Sequence, residues 1–182
     1  MKPRRLLALY HKVCRRFRRE DGVASIEFVL ILPAFLMVFM SSFESGLLMT
    51  RFILLERAVD MTVRDLRLGT FANPTHDLIK ASICDKTVLF EDCDSIMMLE
   101  LRPVSQTTWE PLGTDVTCVD RAANVQPVTQ FSTGIDNEMM LVRACAVFDP
   151  IFPGAGIGLR LPKDASGAYS LVASSAFVNE PS

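Results

Sequence analysis

The chain has 182 residues, 49% of them hydrophobic and 22% charged, with a formal net charge of -2. That length holds one ordinary domain plus an appendage rather than two full domains, and the hydrophobic content excludes a disordered chain. With 2 His, 1 Trp and 2 Tyr, the chain has little material for a metal cluster or for aromatic platforms that stack bases. Only one stretch is apolar enough to cross a bilayer, which excludes a multi-span membrane protein.

The net charge conceals an asymmetry. Residues 1–22 hold eight Lys/Arg against Glu20 and Asp21, a balance of +6, whereas residues 23–182 stand at -8. A basic head could be a nucleic-acid arm. Here a membrane-length apolar run follows it at once, so no nucleic-acid partner is expected.

The run from Phe28 to Phe43 contains sixteen residues without a charge, and with its flanks the near-apolar stretch extends over 28 residues from Val23 to Thr50. A transmembrane helix needs roughly 20 such residues. Clustered Lys/Arg before the run place the N-terminus in the cytoplasm and everything beyond about residue 50 across the membrane. A cleaved secretory signal fits less well, because the run is too long and Ser41–Gly46 lacks small residues at both positions that a signal peptidase needs. Pro33, within the run, is expected to bend the helix inside the membrane.

Two carboxylates interrupt this stretch, Glu27 and Glu44. Glu27 stands five residues after Gly22 and opens the apolar run, where a carboxylate is costly and normally has a partner. The next basic residue along the chain is Arg51. One partner could be created by chain cleavage after Gly22, which would leave a new amine at Val23, one helical turn from Glu27. That amine could pair with Glu27 of its own chain or of a neighbour. The competing reading leaves Glu27 solvated at headgroup level.

Past the apolar run the helical pattern continues as RFILLERAVDMTVRDLRL over Arg51–Leu68. Phe52, Leu55, Val59, Val63 and Leu66 recur at spacings of three and four, forming one apolar stripe on a charged helix. Gly69 is a natural stop and Asn73-Pro74 a break. The chain therefore divides into a basic cytoplasmic leader (1–22), a transmembrane helix (23–50), an extracytoplasmic continuation of that helix (51–70) and a periplasmic α+β domain (71–182).

Within that domain, Thr75–Cys84 is predicted to be a short helix, started by Asn73 and Pro74. Four strand candidates follow at Ser95–Arg102, Asp115–Asp120, Met139–Phe148 and Gly167–Val178. The third is apolar on both faces except for Arg143, as a central strand would be. Polar or Gly/Pro-rich loops separate them at Pro103–Thr114, Arg121–Glu138 and Pro150–Gly167. The expected fold class is α+β: a long N-terminal transmembrane helix packed on a small antiparallel sheet.

Of the 5 cysteines, Cys14 lies in the leader. Cys84, Cys93, Cys118 and Cys145 fall beyond the membrane, an even number in an oxidising space. Three pairings are open. Cys84–Cys93 with Cys118–Cys145 is favoured, since the first closes a short loop at a helix end and the second could tie neighbouring strands.

No cofactor, metal or catalytic constellation is expected. Gly154-Ala-Gly-Ile-Gly158 lies among prolines and fails the strand–turn–helix test of a phosphate-binding loop. His76, beside Asp77, lacks the nucleophile motif of a hydrolase and is expected to have a capping or surface role. Glu91, Asp92 and Asp94 form a solvated charge run rather than a calcium site.

A basic leader, Gly22-Val-Ala-Ser-Ile-Glu27-Phe28, Pro33 in a long apolar helix and a closing Phe177-Val-Asn-Glu180-Pro181 together resemble the TadE/TadG-like minor pilins of tight-adherence (Flp) pilus systems. The resemblance implies a pilin-like fold and a non-enzymatic role in pilus assembly at the bacterial inner membrane. It implies cleavage by a prepilin peptidase after Gly22, so that Val23 is the mature first residue and Glu27, the fifth, serves subunit assembly. The implied partners are that peptidase, other pilin-like subunits and the Tad secretion machinery. An uncleaved, signal-anchored scaffold or sensor is the alternative.

Overall fold

A computed structural model describes residues 23–109, 116–123 and 125–180. The leader with Cys14 and Gly22, together with Asp115 and Pro181, lies outside the described residues.

Helix α1 extends over Val23–Arg67, 45 residues, without interruption through Pro33. Gly69 ends it from the left-handed region, φ 64°, where a residue without Cβ is favoured. The amide of Gly69 donates to the Leu66 carbonyl at 3.1 Å and that of Thr70 to Asp65 at 3.0 Å, which satisfies two otherwise orphaned carbonyls. Helix α2 spans His76–Asp85. Its cap is Thr75 rather than Asn73: the Thr75 side chain accepts from the Leu78 amide at 3.3 Å. A single turn, α3 (Cys93–Ile96), leads into the sheet.

Strands β1 (Met97–Pro103), β2 (Met139–Phe148) and β3 (Tyr169–Val178) form one antiparallel sheet in the order β1-β2-β3. The register aligns Leu99 with Ala144 and Ala144 with Ala173. One face of the sheet carries Met97, Leu99, Leu101, Met140, Val142, Phe148, Tyr169, Leu171 and Phe177 into the core. The α1 stripe meets this face, with Leu55, Ala58 and Val59 almost wholly buried and Phe52 and Leu66 partly so. Ala58, Ala144, Ala146 and Ala173 lie in the same cluster and take little room, so helix and sheet can approach closely. The expected arrangement of a long helix on a small antiparallel sheet is the one observed.

β2 is buried on both faces, but among the described residues no second sheet layer covers it. Its outer side chains, Leu141, Arg143, Cys145 and Val147, are buried as well. Here the structure corrects the expectation of a strand at Asp115–Asp120, since residues 116–120 have no strand pairing. They are tied down by covalent and side-chain bonds instead. Cys118 is joined to Cys145, so this disulfide fastens a loop to the central strand rather than one strand to its neighbour. Arg121 donates to both Asp149 carboxylate oxygens at 2.8 Å and to the Val147 carbonyl at 3.2 Å. The free edge of β1 is covered further along, where the Leu101 amide donates to Gln130 and its carbonyl accepts from Ser132. The second disulfide, Cys84–Cys93, bridges the end of α2 to α3.

Candidate functional site

The most unusual feature among the described residues is the amino-terminal half of α1. From Ser25 to Phe39 every side chain is exposed except Leu32, which is half-buried. Phe28, Val29, Leu30, Ile31 and Phe35 are each more than 60% exposed. Such a continuous apolar surface is not stable in water, and it lies on a helix long and apolar enough to cross a membrane. Glu27 is exposed at its start. Arg51, the next basic residue on α1, lies about 36 Å away along the axis at 1.5 Å per residue. Among the described residues no ion pair involves Glu27.

Glu44, by contrast, is 1% exposed. Its two carboxylate oxygens accept from the amides of Ile151 (3.2 Å) and Phe152 (3.0 Å), so the charge is buried against backbone dipoles rather than a cation. Beside it the Phe43 and Phe152 rings meet edge to face at 6.4 Å. Gly156 crosses α1 at φ 55°, so close that a Cβ there would run into Ser41. The Pro150–Gly167 loop is thus clasped to α1 at the level of Ser41–Glu44. Sequence reasoning noticed Glu44 only as a break in the apolar run. The signal was there: a second carboxylate flanked by apolar residues needs a partner as much as Glu27 does.

Further along α1, charged side chains fasten the helix to the rest of the domain. Arg51 donates to the Tyr169 hydroxyl at 2.7 Å and lies over the Phe148 ring at 4.6 Å. Lys86 of the turn after α2 reaches Thr62 (3.3 Å) and Asp65 (3.0 Å). Arg67 pairs with Glu180 at 2.8 Å. The carboxy-terminal Phe177-Val-Asn-Glu180 string therefore has a structural role. Phe177 enters the core, and the Asn179 side-chain amide donates to the carbonyls of Thr133 (2.8 Å) and Ile135 (3.1 Å).

The remaining candidates have ordinary surroundings. His76 Nδ1 is 3.0 Å from Asp77 and its ring packs on Phe131, with no hydroxyl nucleophile among its described contacts. Gly154–Gly158 lies in the clasped loop, and no helix follows it. Among the described residues no group of His, Cys, Asp and Glu could hold a metal ion. Asp164, which opens the turn into β3, is held below the usual aspartate range. The chief cause is the Ser166 hydroxyl, which donates to it at 2.7 Å, helped by the amides of Ala168 and Ser166 and by the charge of Arg121.

An α+β domain attached to one exposed apolar helix fits a single-pass membrane protein. Residues 22–64 match the family model of TadE-like proteins. The match opens at Gly22, takes in Glu27, Pro33 and Glu44, and ends within the buried stripe, so it covers the amino-terminal helix and leaves the sheet outside. It agrees with the resemblance drawn from the amino-terminal residues and associates the chain with a Tad pilus component. No curated protein and no solved structure matches the chain.

Proposed function

We propose that this protein is a non-enzymatic, minor pilin-like component of a Tad-type pilus system. A prepilin peptidase removes residues 1–22, and Val23 becomes the mature amino terminus. The leader faces the cytoplasm, the helix spans the inner membrane over residues 23–50, and the disulfide-tied domain lies in the periplasm. The subunit is held in the membrane and then transferred laterally to other pilin-like subunits and the Tad machinery. The bare apolar surface of α1 packs against the helices of its neighbours, and the carboxylate of Glu27 meets an amino-terminal amine in a low-dielectric setting, which sets the register.

The observation that carries this reading is the combination of an exposed apolar helix, an ion-pair-free Glu27 at its start and a TadE-like match beginning at Gly22. Glu27 has no structural duty in the domain, so replacing it should leave folding intact and change assembly alone. In cells carrying the pilus system, Glu27→Gln and Glu27→Ala should reach the membrane in normal amounts. Their co-purification with other pilin-like subunits should fall at least about tenfold, the effect of losing one low-dielectric charge pair worth roughly 1.4 kcal/mol or more. Undiminished co-purification would refute the role given to Glu27.

A further inference from the structure

We propose that the loop Ile151–Leu159 is a membrane-contact element that lies in the lipid interface beside the span and fixes the height and tilt of the domain. The proposal rests on the membrane-span reading above and adds a second, non-spanning contact.

Helix α1 serves as a ruler, rising 1.5 Å per residue. With Glu27 at one edge of the hydrocarbon, a span of roughly 20 residues ends near residue 47. The loop is clasped at Ser41–Glu44, about 5–9 Å short of that far edge. Moving the helix to free the loop would draw Glu27 deeper into the hydrocarbon, which is strongly unfavourable. The loop is therefore held at the interfacial rim of the hydrocarbon.

Its composition suits that depth. Ile151-Phe-Pro-Gly-Ala-Gly-Ile-Gly-Leu159 has no charge, whereas Asp149 precedes it and Arg160 and Lys163 follow. Leu159 is 59% and Ile157 36% exposed, and Phe43 of α1, whose ring meets Phe152 of the loop, is 52% exposed. Backbone at such a depth needs internal partners. The Ile151 and Phe152 amides have Glu44, the Ala155 amide has the Phe152 carbonyl (3.2 Å), and the amides of Arg160 (2.8 Å) and Leu161 (3.1 Å) share the Ile157 carbonyl. Pro153 has no amide hydrogen, and its carbonyl accepts from Lys163 at 3.0 Å. The same bonds hide the Glu44 charge from lipid. Exposed Arg160 stands where anionic headgroups would meet it. The occupant of this surface is thus the lipid leaflet on the domain's side, continuous with the lipid already around α1.

The test uses the full chain in phosphatidylcholine/phosphatidylglycerol vesicles, with Trp109 replaced by Phe and a single tryptophan introduced by Phe35→Trp, Leu159→Trp or Val88→Trp. All three positions are largely exposed, and Val88 follows Lys86, which is bound to α1 about 27 Å beyond Glu44. Lipids brominated deep in the acyl chain should quench the indole at position 35, and lipids brominated on the acyl chain near the headgroup the one at position 159, each at least twofold, while neither changes the one at position 88. Quenching at position 35 without quenching at 159 would overturn the loop contact while leaving the span intact. Blue-shifted but unquenched emission from position 159 would instead show that a protein surface covers the loop, and would equally overturn the proposal. Failure to quench at position 35 would refute the span and the loop contact together.

Discussion

The buried Glu44 carboxylate offers the sharpest energetic test of how the domain is attached to its helix. Glu44→Gln preserves shape and one acceptor oxygen, but turns an NH2 group toward one of two backbone amides that are now 3.2 and 3.0 Å from a carboxylate. One hydrogen bond to a charged group is lost, at about 1.5–3 kcal/mol, and the survivor becomes a neutral bond of about half the strength. The clasp should weaken by roughly 2–4 kcal/mol, which corresponds to about 30- to 1,000-fold in the local opening equilibrium. Hydrogen exchange of the Ile151 and Phe152 amides reads this directly in micelles or vesicles. Their exchange should accelerate by that factor, while Val142 and Ala144 in the central strand keep their protection. Acceleration of less than about threefold would mean that Glu44 does not hold the loop, and the loop's placement against Ser41 would need another cause.

Two further outcomes follow from the α+β domain. Opening Cys118–Cys145 by a double Ala replacement should destabilise the oxidised protein by about 3.5 kcal/mol in denaturant titration, against about 2.7 kcal/mol for the Cys84–Cys93 pair, because the first closes the longer loop; the reverse order would contradict the loop-tether account. Asp164, whose acidity is lowered chiefly by the Ser166 hydroxyl, should titrate below the ordinary aspartate midpoint of about 3.9. Its stabilising effect is therefore complete above that midpoint and is lost as pH falls through the lowered folded value. Ser166→Ala should move the NMR titration of Asp164 upward, and an unmoved midpoint would discount the hydroxyl.

Much of the architecture was legible in the sequence because it depends on periodicity and on local stops. The stripe Phe52–Leu66 predicted the buried face of α1, Gly69 its end, and the apolar run Met139–Phe148 a central strand, all of which occur as predicted. Parity leaves three disulfide pairings open, and Cys118–Cys145 is favoured only as a tie between neighbouring strands, which is not the architecture found. Residues 116–120 alternate weakly over too few positions to reveal whether they pair as a strand or lie across one. That Glu44 needs a partner is legible in the sequence, but which partner is not. Its partners are backbone amides 107 and 108 residues away, and backbone amides carry no sequence signal. The glycines of 154–158 read as a loop in the sequence, yet the close approach of Gly156 to Ser41 is a tertiary fact.

The most direct test of the account is the intact mass of the membrane-extracted protein, produced with and without a matching prepilin peptidase, alongside Gly22→Ala. The account predicts a peptidase-dependent species beginning at Val23 and no such species from the variant. A chain that retains residues 1–22 in the presence of active peptidase would contradict it and make the protein a permanent anchor.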